Sequence, residues 1–224
     1  MYQVDSIKAF NDNYIWALRG EHNNMCAIVD PGDAKPVLEY LLNNDLTLTE
    51  ILLTHHHPDH TGGVNRLIEH YPDCRVFGPN TSRFAKFSEG VNPGDSLKIK
   101  ATNTTFSILD LKGHTSDHIG FLDEHNVFVG DTLFSIGCGR LFEGTAEQML
   151  TSLNKLGALT DSTRVYCAHE YTISNLNFAL AVEPNNTALK EYKSSVLAGL
   201  ESGKGSIPTN VKREKSLNPF LRTD

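Results

Sequence analysis

THHHPDHTGG, residues 54–63, carries four of the chain's ten histidines, one aspartate and two adjacent glycines. A solvated polar turn or an expression tag is the plainer explanation. The stretch is internal, however, and Pro58, Asp59 and the glycines interrupt it, which argues against a tag. His55 and His57 are two apart, so on extended chain both rings point to one side and one cation can take both. His56, between them, points the other way. Asp59 and His60 fall at the turn into the next helix, where Gly62 and Gly63 are expected to let that turn pass close to the site without a Cβ clash. EILLT (50–54) reads as a buried strand that delivers the cluster at its C-terminal end. GGVNRLIEHYP (62–72) reads as a helix stopped by Pro72.

Three further stations lie where predicted strands run out. GHTSDH (113–118) sets His114 just after TFSILDL (105–111), Asp131 ends NVFVGD (126–131), and His169 follows TRVYC (163–167). Loops at strand ends are where rigid scaffolds display functional groups. The candidates number seven, five imidazoles and two carboxylates. That exceeds the three protein ligands of a single catalytic zinc with an open position. Two ions sharing one carboxylate fit the count better. Imidazole and carboxylate ligands suit zinc, iron and manganese alike.

CAIVDPG (26–32), RVFGP (75–79) and SLKIKA (96–101) read as further strands. PVLEYLLNN (36–44) and TAEQMLTSLNKLGAL (145–159) read as helices, the second with Thr145 as its cap. From residue 172 two helical stretches follow, ISNLNFALAVEP and NTALKEYKSSVLAGLESGK. The expected plan is a mixed α/β domain over 1–171 and a helical segment over 172–224. With 39% hydrophobic and 21% charged residues the chain is globular in composition, and its formal charge of −7 argues against a nucleic-acid partner. Cys26, Cys74, Cys138 and Cys167 form no CxxC pair, so a thiolate zinc site is not indicated and a reducing compartment fits. The N-terminus lacks the basic start and apolar run of a signal peptide, and no apolar stretch nears the roughly 20 residues that span a bilayer. The expectation is a cytoplasmic protein without a membrane partner.

T-H-x-H-x-D-H at 54–60, with the GHT, GDT and AHE stations, resembles the metallo-β-lactamase superfamily. The resemblance implies an α/β (α+β) four-layer αββα sandwich followed by the short helical segment. Carried over position by position, it assigns His55, His57 and His114 to a first metal and Asp59, His60 and His169 to a second, with Asp131 bridging. Two divalent ions are thereby implied, zinc foremost, iron or manganese being compatible. DNYIW (12–16), VDPGD (29–33), GDTLFSIGCGRLFEGTAEQM (130–149), CAHEYTISNLNFA (167–179) and NPFLR (218–222) are similar to the hydroxyacylglutathione hydrolases, the glyoxalase II family, over essentially the whole chain. That family hydrolyses S-D-lactoylglutathione to glutathione and D-lactate, the second step of methylglyoxal removal. It implies a monomer, with Arg140 and Tyr171 as substrate contacts and Phe142 where some relatives have tyrosine.

The ligand types suit that chemistry. A metal-bound water ionises near pH 7, and a hydroxide held between two ions can attack the thioester carbonyl while one ion stabilises the oxyanion. The leaving thiol has a reference pKa near 8.5 and departs with little help from an acid, so the catalytic candidates reduce to Asp131, for proton movement, and Asp59. The substrate's two carboxylates call for a cation, for which Arg140 is the candidate. Many relatives continue past NPFLR with a further basic cluster. The KREK run at 212–215 does not align with it and reads as a solvated face, so weaker substrate binding is expected. An iron-dependent persulfide dioxygenase is the competing enzyme reading, and a zinc-stabilised binding module the non-enzymatic one. His118 reads as a structural neighbour of the site, His22, His70 and His125 as surface residues, and Cys138 and Cys167 as buried fillers.

Overall fold

The computed structural model describes residues 2–81, 83–84 and 89–223. The chain divides into two compact units, Met1–Asp110 with Asp117–Asp123, and Leu111–Ser116 with Glu124–Asp224.

In the first unit β1 (Tyr2–Ala9), β2 (Asn13–Gly20), β3 (Met25–Val29), β4 (Thr47–Leu52), β5 (Arg75–Pro79) and β6 (Glu89–Val91) form one sheet in chain order. β1, β2 and β3 pair antiparallel, and β3 to β6 run parallel. The parallel half reads as continuous apolar runs, Cys26–Val29 and Ile51–Leu53, because such strands are covered on both faces. The crossovers carry α1 (Ala34–Asn43), the single turn α2 (Pro58–Thr61) and α3 (Val64–His70). Asp33 caps α1 by accepting from Lys35 N, and Ala34, Val37 and Leu41 turn inward at helical spacing. They meet Ile15, Ile28, Ile51, Leu53 and Leu67 in one core. β7 (Ser96–Ile99), β8 (Thr104–Asp110) and β9 (Ile119–Leu122) pair antiparallel in that order. The hairpin of β1 and β2 was not among the strands expected from the sequence: β1 is half polar and mostly unburied, and only β2 is a buried run.

The second unit holds β10 (Asn126–Gly130), a two-residue-turn hairpin of β11 (Leu133–Phe134) and β12 (Gly137–Cys138), α4 (Ala146–Gly157), β13 (Arg164–Cys167), α5 (Thr172–Val182), α6 (Thr187–Glu201), β14 (Thr209–Asn210), α7 (Val211–Leu217) and a 3-10 turn at Pro219–Leu221. β10 and β13 are parallel, joined through α4, and β14 adds antiparallel to β13. α4 opens with a reciprocal capping box between Thr145 and Gln148. Ile136, Leu176, Ala179, Leu189, Val196 and Leu217 form this unit's helical core. The KREK run is not simply a solvated face: Lys212 and Lys215 are exposed, but Glu214 on α7 is fully buried. Among the described residues no helix is long and apolar enough to cross a membrane.

Candidate active site

In the first unit the histidine cluster is fastened at the end of β4 by a residue that precedes it by a whole crossover. Asp30, buried just past β3 with φ 51°, accepts from Thr54 N at 2.8 Å and from Thr54 Oγ1 at 2.7 Å. The same carboxylate lies 3.1 Å from His60 Nδ1. An aspartate oxygen accepts, so His60 carries its proton on Nδ1, which makes Nε2, 3.4 Å from Asp59 Oδ2, the candidate ligand atom. Thr54 spends its hydroxyl proton on Asp30, so its oxygen accepts from His55 Nδ1 at 3.0 Å. His55 Nε2 then faces His57 Nδ1 at 3.1 Å, an arrangement of two imidazole nitrogens that suits a shared cation. Asp30, His55 and His60 each offer a ligand atom within 4.8 Å of the others, all three buried. Asn13 Nδ2 donates to Asp59 Oδ2 at 3.1 Å. His56 faces the other way, towards Asp117 at 3.5 Å and Arg83 at 2.9 Å. His118 is buried and stacks on His55 with centroids 4.7 Å apart. A Cβ on Gly63 would sit 2.6 Å from Pro31 O, so the close neighbour of the glycine pair is the turn after β3.

In the second unit His114 Nδ1 donates to Arg140 O at 2.8 Å, which leaves Nε2 as the ligand atom. That Nε2 is 3.5 Å from Asp131 Oδ2, and His169 Nε2 is 3.4 Å from Asp131 Oδ1. Each oxygen of Asp131 thus faces one imidazole, an arrangement compatible with a carboxylate shared between two ions. The loop that follows folds back on Asp131 so closely that a Cβ on Gly139 would fall 1.8 Å from Asp131 O. A cavity of about 460 Å³ opens beside these groups. Arg140, Phe142 and Tyr171 line it together with His114, Asp131 and Cys138. The Tyr171 ring stacks on His169 at 4.7 Å and 8°, and Phe142, 64% exposed, meets His114 edge-on at 5.2 Å. Burial pushes the Cys138 thiol up to about 11 and raises that of Cys167 as well, so neither is a thiolate at neutral pH.

Each unit therefore gathers its own share of the seven expected ligands, His55, His57, Asp59 and His60 in one and His114, Asp131 and His169 in the other. Five imidazoles, three of them (His55, His60 and His114) with the second nitrogen tied to an oxygen acceptor, together with carboxylates, fit a zinc, iron or manganese ion. Four polar residues escaped the sequence reading: Asp30, Asn13, and the cavity-lining Ser174 and Asn175. Asn13 lies in DNYIW, Asp30 in VDPGD and Ser174 and Asn175 in CAHEYTISNLNFA, and Asp30 carries the same signal as Asp131, an aspartate at a strand's end.

Residues 11–169 match the family model described as the metallo-beta-lactamase superfamily, and residues 170–224 match that of the hydroxyacylglutathione hydrolase C-terminus. A curated protein of Aliivibrio salmonicida (strain LFI1238) named hydroxyacylglutathione hydrolase is 52% identical over 223 residues, all of this chain and 87% of that protein. The chain belongs to the hydroxyacylglutathione hydrolase family. A second family member, hydroxyacylglutathione hydrolase 2 of Vibrio vulnificus (strain YJ016), is 50% identical over 222 residues, covering 99% of this chain and 87% of that protein. Among solved structures, ETHE1 from Myxococcus xanthus superposes with a TM-score of 0.74 at 26% identity, covering 100% of this chain and 85% of that one. The BLEG-1 B3 metallo-beta-lactamase does so at 0.70 with 22% identity, covering 99% of both. This hydroxyacylglutathione hydrolase family member thus has the mixed α/β metallo-β-lactamase fold expected from its sequence.

Proposed function

We propose that this hydroxyacylglutathione hydrolase cleaves S-D-lactoylglutathione, and 2-hydroxyacylglutathiones generally, to glutathione and the free hydroxy acid, the second step of methylglyoxal removal. It does so with two divalent ions, zinc foremost. His55, His57 and His114 would hold one ion and Asp59, His60 and His169 the other, with Asp131 between them. The observation that carries this reading is Asp131 itself, buried, with an imidazole Nε2 at each oxygen and a cavity beside it. Divalent ions held there would supply a water ionised near pH 7 and a Lewis acid for the thioester carbonyl.

The chain's own residues do the rest. Arg140 presents its guanidinium to a glutathione carboxylate. Tyr171, its ring fixed by the stack on His169, offers its hydroxyl to the glutathione backbone, and Phe142 offers an apolar edge where a tyrosine would add a hydrogen bond. Asp59 has one oxygen held by Asn13 and a side chain 41% exposed, so its carboxylate can pass a proton to solvent. The thiol leaving group needs no separate acid. The four cysteines are free thiols, which supports a reducing, cytoplasmic setting, and we take the chain to act as a monomer.

Metal analysis of the purified protein, combined with the loss of thioester absorbance from S-D-lactoylglutathione, tests the reading. We expect two ions per chain and no turnover after His57→Ala or Asp131→Ala. Undiminished hydrolysis by fully demetallated protein overturns it, and a single iron with oxygen uptake points to a dioxygenase instead.

A further inference from the structure

The hairpin of β11 and β12 turns in two residues, Ser135 and Ile136. Ile136 has φ 61°, a left-handed conformation that is an outlier for a β-branched residue. Its side chain is fully buried against Leu176, Ala179, Leu189 and Leu217. The turn's backbone is held by side chains of the C-terminal helices. Asn175 Nδ2 donates to Ser135 O at 3.0 Å, and Asn218 Nδ2 to Gly137 O at 3.0 Å and Phe134 O at 3.3 Å. Ile136 N donates to Glu214 Oε2 at 2.8 Å. Glu214 in turn accepts from Asn218 Nδ2 at 2.9 Å and Thr209 Oγ1 at 2.6 Å. A carboxylate buried this completely is a costly filler, and an apolar side chain would pack the core as well. What only an acceptor can do here is fix the Ile136 N–H. The arms of the same hairpin carry Phe134 and Cys138 into the wall of the cavity, alongside Asp131 and Arg140.

We infer that Glu214, supported by Asn218, is a positioning residue for the thioester cavity: it clamps the Ser135–Ile136 turn and thereby sets the Phe134–Cys138 wall against which glutathione is held. This rests on the reading of the cavity given above. The basic run that houses Glu214 serves the site from behind, with Glu214 and not its cations as the working group.

The test compares metal-replete parent, Glu214→Ala and Glu214→Gln. Alanine leaves the Ile136 N–H without its acceptor and removes one of the three acceptors of the Asn218 amide, which keeps Gly137 O and Phe134 O. The glutathione Kd, by calorimetry, and the KM for S-D-lactoylglutathione should both rise about tenfold, with kcat within about twofold. Glutamine restores both values to within about twofold of the parent, since its oxygen accepts from Ile136 and Asn218 and its NH2 donates to Thr209 Oγ1. An alanine variant that melts lower but keeps the parent's Kd and KM overturns the inference and leaves Glu214 a stabilising core residue. Should Glu214→Ala not fold, Thr209→Val removes the donor to Oε1 without touching the cavity; a Kd raised about threefold supports the clamp and an unchanged Kd overturns it. Turnover by the parent tests the substrate reading separately, because the clamp is judged on glutathione affinity, which needs no chemistry.

Discussion

At the scale of single residues the site is a problem in directing protons. His60 can offer Nε2 to an ion only if Nδ1 keeps the hydrogen, and Asp30 ensures this by accepting there while also holding Thr54 N and Oγ1. Asp30→Asn preserves size but turns one oxygen into a donor. If the NH2 faces His60, the imidazole must shift its proton to Nε2 and lose its ligand atom. If the amide flips, the NH2 meets the Thr54 N–H instead, donor against donor. Either outcome should weaken the proposed site of the second ion, and loss of such an outer hydrogen bond commonly costs roughly 10- to 100-fold in metal affinity. Competition against a chromogenic chelator should therefore find one of two ions bound roughly 10- to 100-fold more weakly in Asp30→Asn. Equal retention of both ions would show that His60 keeps its orientation without this partner.

At the scale of elements, local signals are separable from the chemistry they support. α4 begins directly after the cavity loop, and its start is written in Thr145 and Gln148: Thr145 Oγ1 accepts from Gln148 N at 3.2 Å, and Gln148 Oε1 from Thr145 N at 2.9 Å. Glu147 in the first turn and Lys155 in the last complement the helix dipole. Thr145→Ala removes one of the two capping bonds and should cost about 1 kcal/mol. In a chain of this size that is a fall of roughly 2–4 °C in Tm. Since the cavity lining does not include Thr145, the KM for the thioester should stay within experimental error. A calorimetric melt and a kinetic assay on the same preparation check both halves. Similar reasoning explains which elements could be read in advance. Helices with caps and strands with unbroken apolar runs declare themselves within a few residues. β1, with alternate residues facing solvent, and the two-residue strands β11, β12 and β14 exist because of their partners.

At the scale of the whole molecule the same division holds between what is near in sequence and what is near in space. The candidate ligand residues could be picked out because each lies in a short motif, with the period-two spacing of His55 and His57 and an acidic or imidazole residue at a strand's end. Asp30 acts on His60 across 30 positions, Asn13 on Asp59 across 46, and Glu214 on Ile136 across 78. No local pattern carries such a pairing, and in Glu214's case three neighbouring cations pointed to solvent. The proposed ligands likewise span His55 to His169, so the ions can recognise only the folded chain, and their binding energy adds to its stability. At free zinc about 1,000-fold above Kd, one ion contributes about 4 kcal/mol. At roughly 2–4 °C per kcal/mol, each such ion is worth roughly 8–16 °C, so protein stripped of both by chelator should melt at least that far below the zinc-loaded form and recover on re-addition of zinc. His57→Ala should melt with little response to zinc at its site, whereas Arg140→Ala, altered only in the cavity wall, should respond as the parent does. A parent melt indifferent to chelation would mean that these histidines and aspartates are packed for structure, and the proposed metal chemistry would fall with it.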